Sequence, residues 1–329
     1  LASNENPFGP SPCAVEAVKE ALGSLNRYPD GSGFYLRRAL AERLGVAADA
    51  IILGNGSNDI IELAVRAFLR PGDEAVMAEQ AFVIYQMAVQ GAGGIARAIP
   101  LRRYTHDLDA MAQAIGPTTR LVFLANPNNP TGTIYKRDEW EDFLAAVPPH
   151  VLVVADDAYA DYVEDPDYPD SLASQRRGRL LLTLRTFSKI YGLAGLRVGY
   201  GVGPLELIEV LNRLRQPFNV NALAQVAARA ALDDHAHVAR TRANNREGLA
   251  FLRAACERLG RPYVPSWANF LLIEVGEGAR VYEALLRRGV IVRPMDVYEL
   301  PRHLRVTVGT AAENQRFVDC LAAVLEHGS

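Results

Sequence analysis

The residues with the plainest capacity for chemistry lie in Thr183-Leu184-Arg185-Thr186-Phe187-Ser188-Lys189, with Arg197 eight residues past the lysine. The apolar run Leu180-Leu181-Leu182 leads in, and a glycine-broken segment from Gly192 to Gly203 leads out. One lysine therefore sits just beyond a buried strand, beside two hydroxyls and a guanidinium. Hydroxyls with an arginine suit a phosphate, because the guanidinium fork matches its oxygens. A primary amine held beside a phosphate suits covalent chemistry on a carbonyl. An isolated Ser-Lys pair is more often an ordinary surface loop, so the other polar clusters decide.

Three more clusters follow apolar runs. Gly56-Ser57-Asn58 comes after Ile51-Ile52-Leu53 and before a helix. A glycine turn there exposes N–H groups and the helix dipole to an anion. Asn129 comes after Leu121 to Ala125, and Asp156 ends the run from Val151, with Tyr159 three residues on. Alone, each is a common turn, cap or core aromatic. Together they supply every handle of one cofactor, pyridoxal 5'-phosphate (PLP). Its phosphate would take Gly56, Ser57, Asn58, Thr186, Ser188 and Arg197. Its ring nitrogen would take Asp156, and its phenolic oxygen Asn129 and Tyr159. Its aldehyde would take Lys189, and its ring face Phe82.

The elements that must position these residues alternate. Strands are expected at 51–53, 74–78, 95–101, 121–125, 151–155 and 180–184. Helices are expected at 14–25, 34–44, 60–69, 82–89, 108–115 and 138–147, the first capped by Ser11 with Pro12 at its first position. Several runs are apolar throughout, which marks strands buried on both faces in a mainly parallel sheet. Ligands of such sheets sit beyond the carboxyl ends of the strands, where all four clusters fall. Residues 165–179 read as a surface excursion. Past Gln216-Pro217 the pattern becomes α+β: helices at 222–232, 238–259, 280–288 and 313–325, with strands at 270–275, 290–293 and 304–308. The fold class expected is α/β, a three-layer α/β/α large domain at 28–216 with a smaller α+β domain from 1–27 and 217–329.

A chain of 329 residues, 49% hydrophobic and 22% charged, suits two globular domains. A net charge of −3 gives no attraction for nucleic acid or an anionic membrane. No apolar run approaches the roughly 20 residues of a membrane helix, and no signal peptide is read. Cys13, Cys256 and Cys320 are scattered and read as free thiols in a reducing compartment, hence a cytoplasmic location. His235 and His237 read as a solvated helix face, so no metal site is expected. Leu1 is not an initiator methionine, and the natural N terminus is expected upstream.

Asn129-Pro130-Thr131-Gly132, Asp156-x-x-Tyr159 and Thr186-x-Ser188-Lys189 with Arg197 resemble, in their order, the motifs of fold-type-I PLP aminotransferases. Within that superfamily the chain resembles the histidinol-phosphate aminotransferase family most. Asn4-Glu5-Asn6-Pro7-Phe8-Gly9-Pro10, Arg27-Tyr28-Pro29-Asp30, Gly54-Asn55-Gly56-Ser57-Asn58, 195–200 and 304–310 carry that likeness over nearly the whole chain.

The resemblance implies amino transfer between L-histidinol phosphate and glutamate or 2-oxoglutarate, in the histidine pathway. It implies Lys189 as covalent anchor and proton shuttle, with Asp156 keeping the ring cationic. Tyr28 would reach the cofactor phosphate of the other subunit, which requires a homodimer with shared sites. Arg293 and Arg305 would bind the anionic groups of the substrates. An aromatic amino-acid aminotransferase and an O-phosphothreonine decarboxylase share this pattern. The chain departs from it at Gln80-Ala81-Phe82, where Pro-Thr-Tyr is frequent, and at Asp157, where Glu is common. It also lacks the N-terminal arm, so the site is expected to be open.

Overall fold

The computed structural model describes residues 1–175 and 178–326. The strands are β1 (Ile51–Gly54), β2 (Glu74–Ala78), β3 (Ile95–Ile99), β4 (Thr119–Ala125), β5 (Leu152–Asp156), β6 (Leu181–Thr186), β7 (Gly199–Val202), β8 (Tyr263–Val264), β9 (Phe270–Glu274), β10 (Arg293–Pro294) and β11 (His303–Thr307). They form a seven-stranded sheet, β1-β7-β6-β5-β4-β2-β3, and a four-stranded sheet, β10-β11-β9-β8. In the large sheet β7 runs antiparallel to both its neighbours, and the remaining pairs are parallel. The small sheet is antiparallel throughout.

The apolar runs are buried on both faces, as expected. Leu121 and Phe123 of β4 join one core with helices Ser57–Phe68, Ile84–Gly91 and Leu205–Leu214. Val122 and Leu124, pointing the other way, join a second core with helix Arg137–Ala146. Helices thus cover both faces, and the three-layer α/β/α architecture holds.

Local signals act as read at several points. Ser11 Oγ accepts from Ala14 N at the head of helix Pro12–Ala21, and Gly45, at φ +65°, closes helix Phe34–Leu44. Helix Ser57–Phe68 begins three residues earlier than expected, which brings Ser57 and Asn58 into its first turn.

The differences have physical reasons. The segment read as glycine-broken contains β7. Glycines are poor strand formers, but a Cβ on Gly199 would lie 2.6 Å from Ser57 N. The strand 290–293 contracts to Arg293–Pro294, and helix Leu205–Leu214 is additional. The excursion at 165–179 is partly tied down: it holds helix Ser171–Gln175, and Trp140 Nε1 donates to buried Ser174 Oγ at 3.0 Å. Residues 176 and 177 of it lie outside the described residues. His237 is buried, within 3.4 Å of Asn6 Nδ2, rather than on a solvated face; His235 is exposed. Among the described residues no cluster suits a metal ion, and no helix is long and apolar enough to cross a membrane.

Candidate active site

Neighbouring parallel strands deliver the central groups. β5 ends in Asp156, and β6, paired with it in the register Asp156↔Leu184, runs on into Lys189. Asp156 is 5% exposed. Its carboxyl accepts the Tyr85 hydroxyl at 2.6 Å and the Ala158 N–H at 3.1 Å. Burial pushes its pKa up; the Tyr85 bond, the Ala158 N–H and the charge of Lys189 pull the other way. Lys189 Nζ lies 5.5 Å from the centre of the Tyr159 ring and donates to Ser3 O at 3.2 Å.

Below the lysine the chain folds into an anion cradle. Thr186 Oγ1 accepts the Ser188 N–H at 3.1 Å. Arg197, at φ +57°, donates to Ala194 O at 3.0 Å and approaches Ser188 Oγ at 3.4 Å. Gly56, at φ +80°, makes room for that guanidinium: a Cβ there would collide with Arg197 Nη2. The N terminus of helix Ser57–Phe68 adds its free N–H groups.

The remaining walls orient a ring. Tyr159 accepts a hydrogen bond from Asn4 Nδ2 at 2.9 Å and stands edge-on to Phe270. Asn129, beyond β4, accepts from Arg305 Nη1. Phe82 precedes helix Ile84–Gly91 and meets Tyr85 edge-on at 5.7 Å; Tyr85 in turn stacks on Phe123 at 4.8 Å. Asp157, the next residue after Asp156, serves the framework instead. It pairs with Arg185 at 3.4 Å and accepts from Ser171 Oγ at 2.6 Å. Burial pushes its pKa up to about 6 against those two partners.

The small sheet brings two arginines. Arg293 on β10 and Arg305 on β11 are direct cross-strand partners. Like charges so placed repel, and an anion between them removes the penalty. Arg305 is buried, donates to Ala2 O at 2.8 Å and leaves Nε without a partner among the described residues. Burial lowers its pKa, opposed by Tyr159 and Tyr298.

One cavity of about 420 Å³ unites these groups, a size suited to a small-molecule site. Ser57, Asn58, Phe82, Asn129, Asp156 and Tyr159 line it, as do Thr186, Ser188, Lys189, Arg197, Arg293 and Arg305. Gly56 stands behind Arg197 rather than in the wall. Tyr28 is 83% exposed, stacks on Phe218 at 4.7 Å, and does not line its own chain's cavity. Among the wall residues with no assignment from sequence are Tyr85, Asn4 and Tyr298. Asn4 lies in the Asn-Glu-Asn-Pro motif, which marks it out; Tyr85 and Tyr298 carry no such signal.

The donor set fits PLP. A helix N terminus, hydroxyls and Arg197 suit a phosphate, with Gly56 opening the room they need. A buried carboxyl held by two neutral donors suits a cationic ring nitrogen. A lysine beside both suits an aldehyde.

Known proteins share this construction. The family model described as Aminotransferase class I and II matches residues 1–321. Histidinol-phosphate aminotransferase 1 of Nitrosococcus oceani is 53% identical, covering 99% of this chain and 88% of that protein. Histidinol-phosphate aminotransferase of Moorella thermoacetica is 52% identical, over 99% of this chain and 85% of its own. The crystal structure of histidinol-phosphate aminotransferase from Sinorhizobium meliloti in complex with pyridoxal-5'-phosphate superposes with a TM-score of 0.95 at 27% identity, covering 100% of this chain and 91% of that one. A Thermus thermophilus aspartate aminotransferase mutant reaches 0.88 at 26% identity, over 98% and 91%. By the family match, the cavity and its motifs, this chain belongs to the class I and II aminotransferases.

Proposed function

We propose that this enzyme uses PLP to move an amino group between L-histidinol phosphate and 2-oxoglutarate, in histidine biosynthesis. One observation carries the reading: a single cavity joins the Asp156–Lys189 pair and the Arg197 cradle of the large sheet to the Arg293–Arg305 pair of the small sheet. Relatives 52–53% identical over 99% of the chain bear the matching name.

When bound, PLP supplies an electron sink for the bonds at the reacting carbon. The chain's own residues do the rest. Lys189 Nζ anchors the cofactor and carries the proton at the substrate carbon. Asp156 holds the ring-nitrogen proton, and Tyr85 with the Ala158 N–H keeps that carboxyl aimed. Asn129 and Tyr159 hold the ring oxygen, Phe82 covers the ring face, and Ser57, Asn58, Thr186, Ser188 and Arg197 hold the phosphate. Arg293 and Arg305 take the substrate's anion. One substrate offers a phosphate and the other carboxylates, and a guanidinium fork accepts either, as a ping-pong enzyme requires.

The test is direct. The purified protein should show a visible band that borohydride removes and Lys189→Ala lacks. Histidinol phosphate and glutamate should each convert the band, phenylalanine less. Carbon dioxide released from O-phosphothreonine, with no amine taken from histidinol phosphate, would replace this reading with a decarboxylase. A colourless protein that takes up no PLP would end both.

The working form in this proposal is a cytoplasmic homodimer. Leu22, Leu25, Tyr28, Phe34, Tyr35 and Phe218 are large, apolar or aromatic and exposed, a grouping that suits a protein interface. Tyr28 would then serve the partner's phosphate cradle. Mixing Lys189→Ala with Tyr28→Ala subunits should restore one complete site per dimer; no recovery, with dimers present, would end the shared-site reading. The domain division at 28–216 against 1–27 with 217–329 belongs to the same proposal. It is supported by the separate core of Leu249 to Val324 and by Thr307 N donating to Leu1 O at 2.9 Å, whereas helix Pro12–Ala21 and Ala222–Leu232 share their core with Leu36, Ile51, Phe187 and Val198 of the large domain. The cytoplasmic assignment rests on three free cysteines.

A further inference from the structure

A second cavity, of about 330 Å³, shares no lining residue with the catalytic one. One of its walls is a single stripe of helix His235–Arg258: Arg242, Asn245, Arg246, Leu249 and Arg253. Their spacing of three and four residues puts them on one helix face. Facing them are Tyr162, Glu164 and Asp165, which follow β5, and Pro265-Ser266-Trp267, which precede β9. We propose that this cavity binds a small anionic molecule carrying a flat ring.

The charges favour an anion. Three guanidinium groups face two carboxylates, and both carboxylates are already engaged. Asp165 is bonded to Lys136, outside the cavity's lining, and Glu164 pairs with Arg246 at 3.5 Å on an exposed edge. Arg242 and Arg253 are fixed in place by neutral carbonyls instead. Arg242 Nε donates to Asp161 O at 2.9 Å, and Arg253 Nη2 to Ser266 O at 2.6 Å. Among the described residues neither has an ion pair. Arginines anchored by one edge, with the rest of the fork uncompensated, are arranged as an anion receptor is.

Two buried polar atoms on these wall residues also lack partners. Asn245 is 5% exposed; its Nδ2 donates to Ala268 O at 3.1 Å while Oδ1 has no partner, and Arg253 Nε has none. Trp267, with Lys136 Nζ 5.6 Å from its ring centre, and Leu249 line the cavity and supply the apolar surface that a flat ring would lie against.

The second cavity is mechanically tied to the first. Trp267 N donates to Gly132 O at 2.8 Å, and a Cβ on Gly132 would collide with Ser266 Oγ. Gly132 closes the Asn129-Pro130-Thr131-Gly132 loop, and Asn129 accepts from Arg305. An occupant braced on 265–267 would therefore touch the segment that is hydrogen-bonded to a loop lining the catalytic cavity.

The experiment is calorimetric titration of the cofactor-loaded full chain with phenyl phosphate, benzoate and inorganic phosphate. Phenyl phosphate should fill two sites per chain. Arg305→Ala should remove one and leave the other. Arg242→Gln with Arg246→Glu should spare the first and weaken the second at least tenfold, with an unchanged circular dichroism spectrum. Arg246→Glu alone, at a side chain 61% exposed, carries the test if the double variant does not fold. A single site per chain, lost in Arg305→Ala, would overturn the proposal, as would binding within twofold of the parent in the Arg246 variants. Inorganic phosphate matching phenyl phosphate would overturn the ring requirement, and benzoate matching it would make a carboxylate sufficient. Arg305→Ala failing to remove either site would count against the proposed function instead.

Discussion

On the large sheet, Asp156 and Lys189 follow neighbouring parallel strands, and the carboxyl is met by a hydroxyl at 2.6 Å and an N–H at 3.1 Å. On the small sheet, Arg293 and Arg305 face each other across a two-residue strand, one exposed, one buried with an unpartnered Nε. The first wall satisfies its polar groups from within the protein. The second holds two like charges together and waits for an anion. This separates two tasks. In the proposed reaction, bond-making geometry would be set in advance by the large sheet, while recognition would be completed by whichever phosphate or carboxylate arrives.

The largest effect should come from the preset wall. Asp156→Ala removes the proposed partner of the ring nitrogen and strands the buried Tyr85 hydroxyl. Loss of a preorganised electrostatic partner should lower kcat by about 10²–10³-fold, with a smaller change in KM. Single-turnover rates with histidinol phosphate measure it. An effect confined to KM would show that this wall only binds.

The waiting wall should fail in the opposite way. Charge-assisted bonds are worth roughly 1.5–3 kcal/mol, so Arg305→Ala should lower kcat/KM by about 10–100-fold, mostly through KM for the anionic substrates. Cofactor affinity should stay near that of the parent. Arg305→Lys should recover only part of the loss, because the ammonium lacks the fork. Steady-state kinetics with glutamate and with histidinol phosphate separate these outcomes. A loss of cofactor equal to the loss of substrate would erase the distinction between the walls.

The preset wall was also the more legible of the two. Asp156, Asn129 and Lys189 each follow an unbroken apolar run, and a parallel sheet sends such positions to one edge. What supports them was not legible. Tyr85 reaches Asp156 across 71 residues, and Asn4 reaches Tyr159 across 155, contacts that no local pattern encodes. β7 hides because its two glycines are weak strand residues, there for the close approach of helix Ser57–Phe68. Helix Leu205–Leu214 buries Leu207, Ile208 and Leu211, a helical spacing present in the sequence but masked by the glycine-rich run before it. Tyr28 is the reverse case: its motif is plain, but its side chain is exposed and lies outside its own chain's cavity.

Tyr85→Phe sharpens the comparison through pH. The hydroxyl favours the ionised carboxyl, opposing the burial that raises Asp156. A folded pKa above the unfolded value means that this group's stability contribution is full below the unfolded value. It is lost as pH rises through the folded value. Without the hydroxyl the folded pKa climbs further, so the loss starts at the same pH but runs on to higher pH and is larger. In cofactor-free protein, melting temperatures measured from about pH 4 to 8 should show the longer, deeper fall. Cofactor affinity should drop about tenfold, the equivalent of one hydrogen bond of about 1.4 kcal/mol. An unchanged pH profile would mean that Tyr85 serves packing alone.

The smallest effect should come from Asn4, which joins the two walls. It donates to the Tyr159 hydroxyl from one side chain atom and accepts from Thr307 Oγ1 with the other, while its N–H donates to Thr307 Oγ1 and its carbonyl accepts from Asn269. Its φ of +57° is a conformation that asparagine tolerates better than alanine. Asn4→Ala should therefore cost about 1–2 kcal/mol of stability through lost hydrogen bonds and strain. Its effect on kcat should be only a few-fold, because Tyr159 stays packed against Phe270. Asn4→Gly relieves the strain without restoring the bonds, so it should recover stability in part and kcat not at all. If glycine restored kcat as well, the role of Asn4 would lie in its backbone turn, and the two walls would be joined by the chain rather than by the side chain.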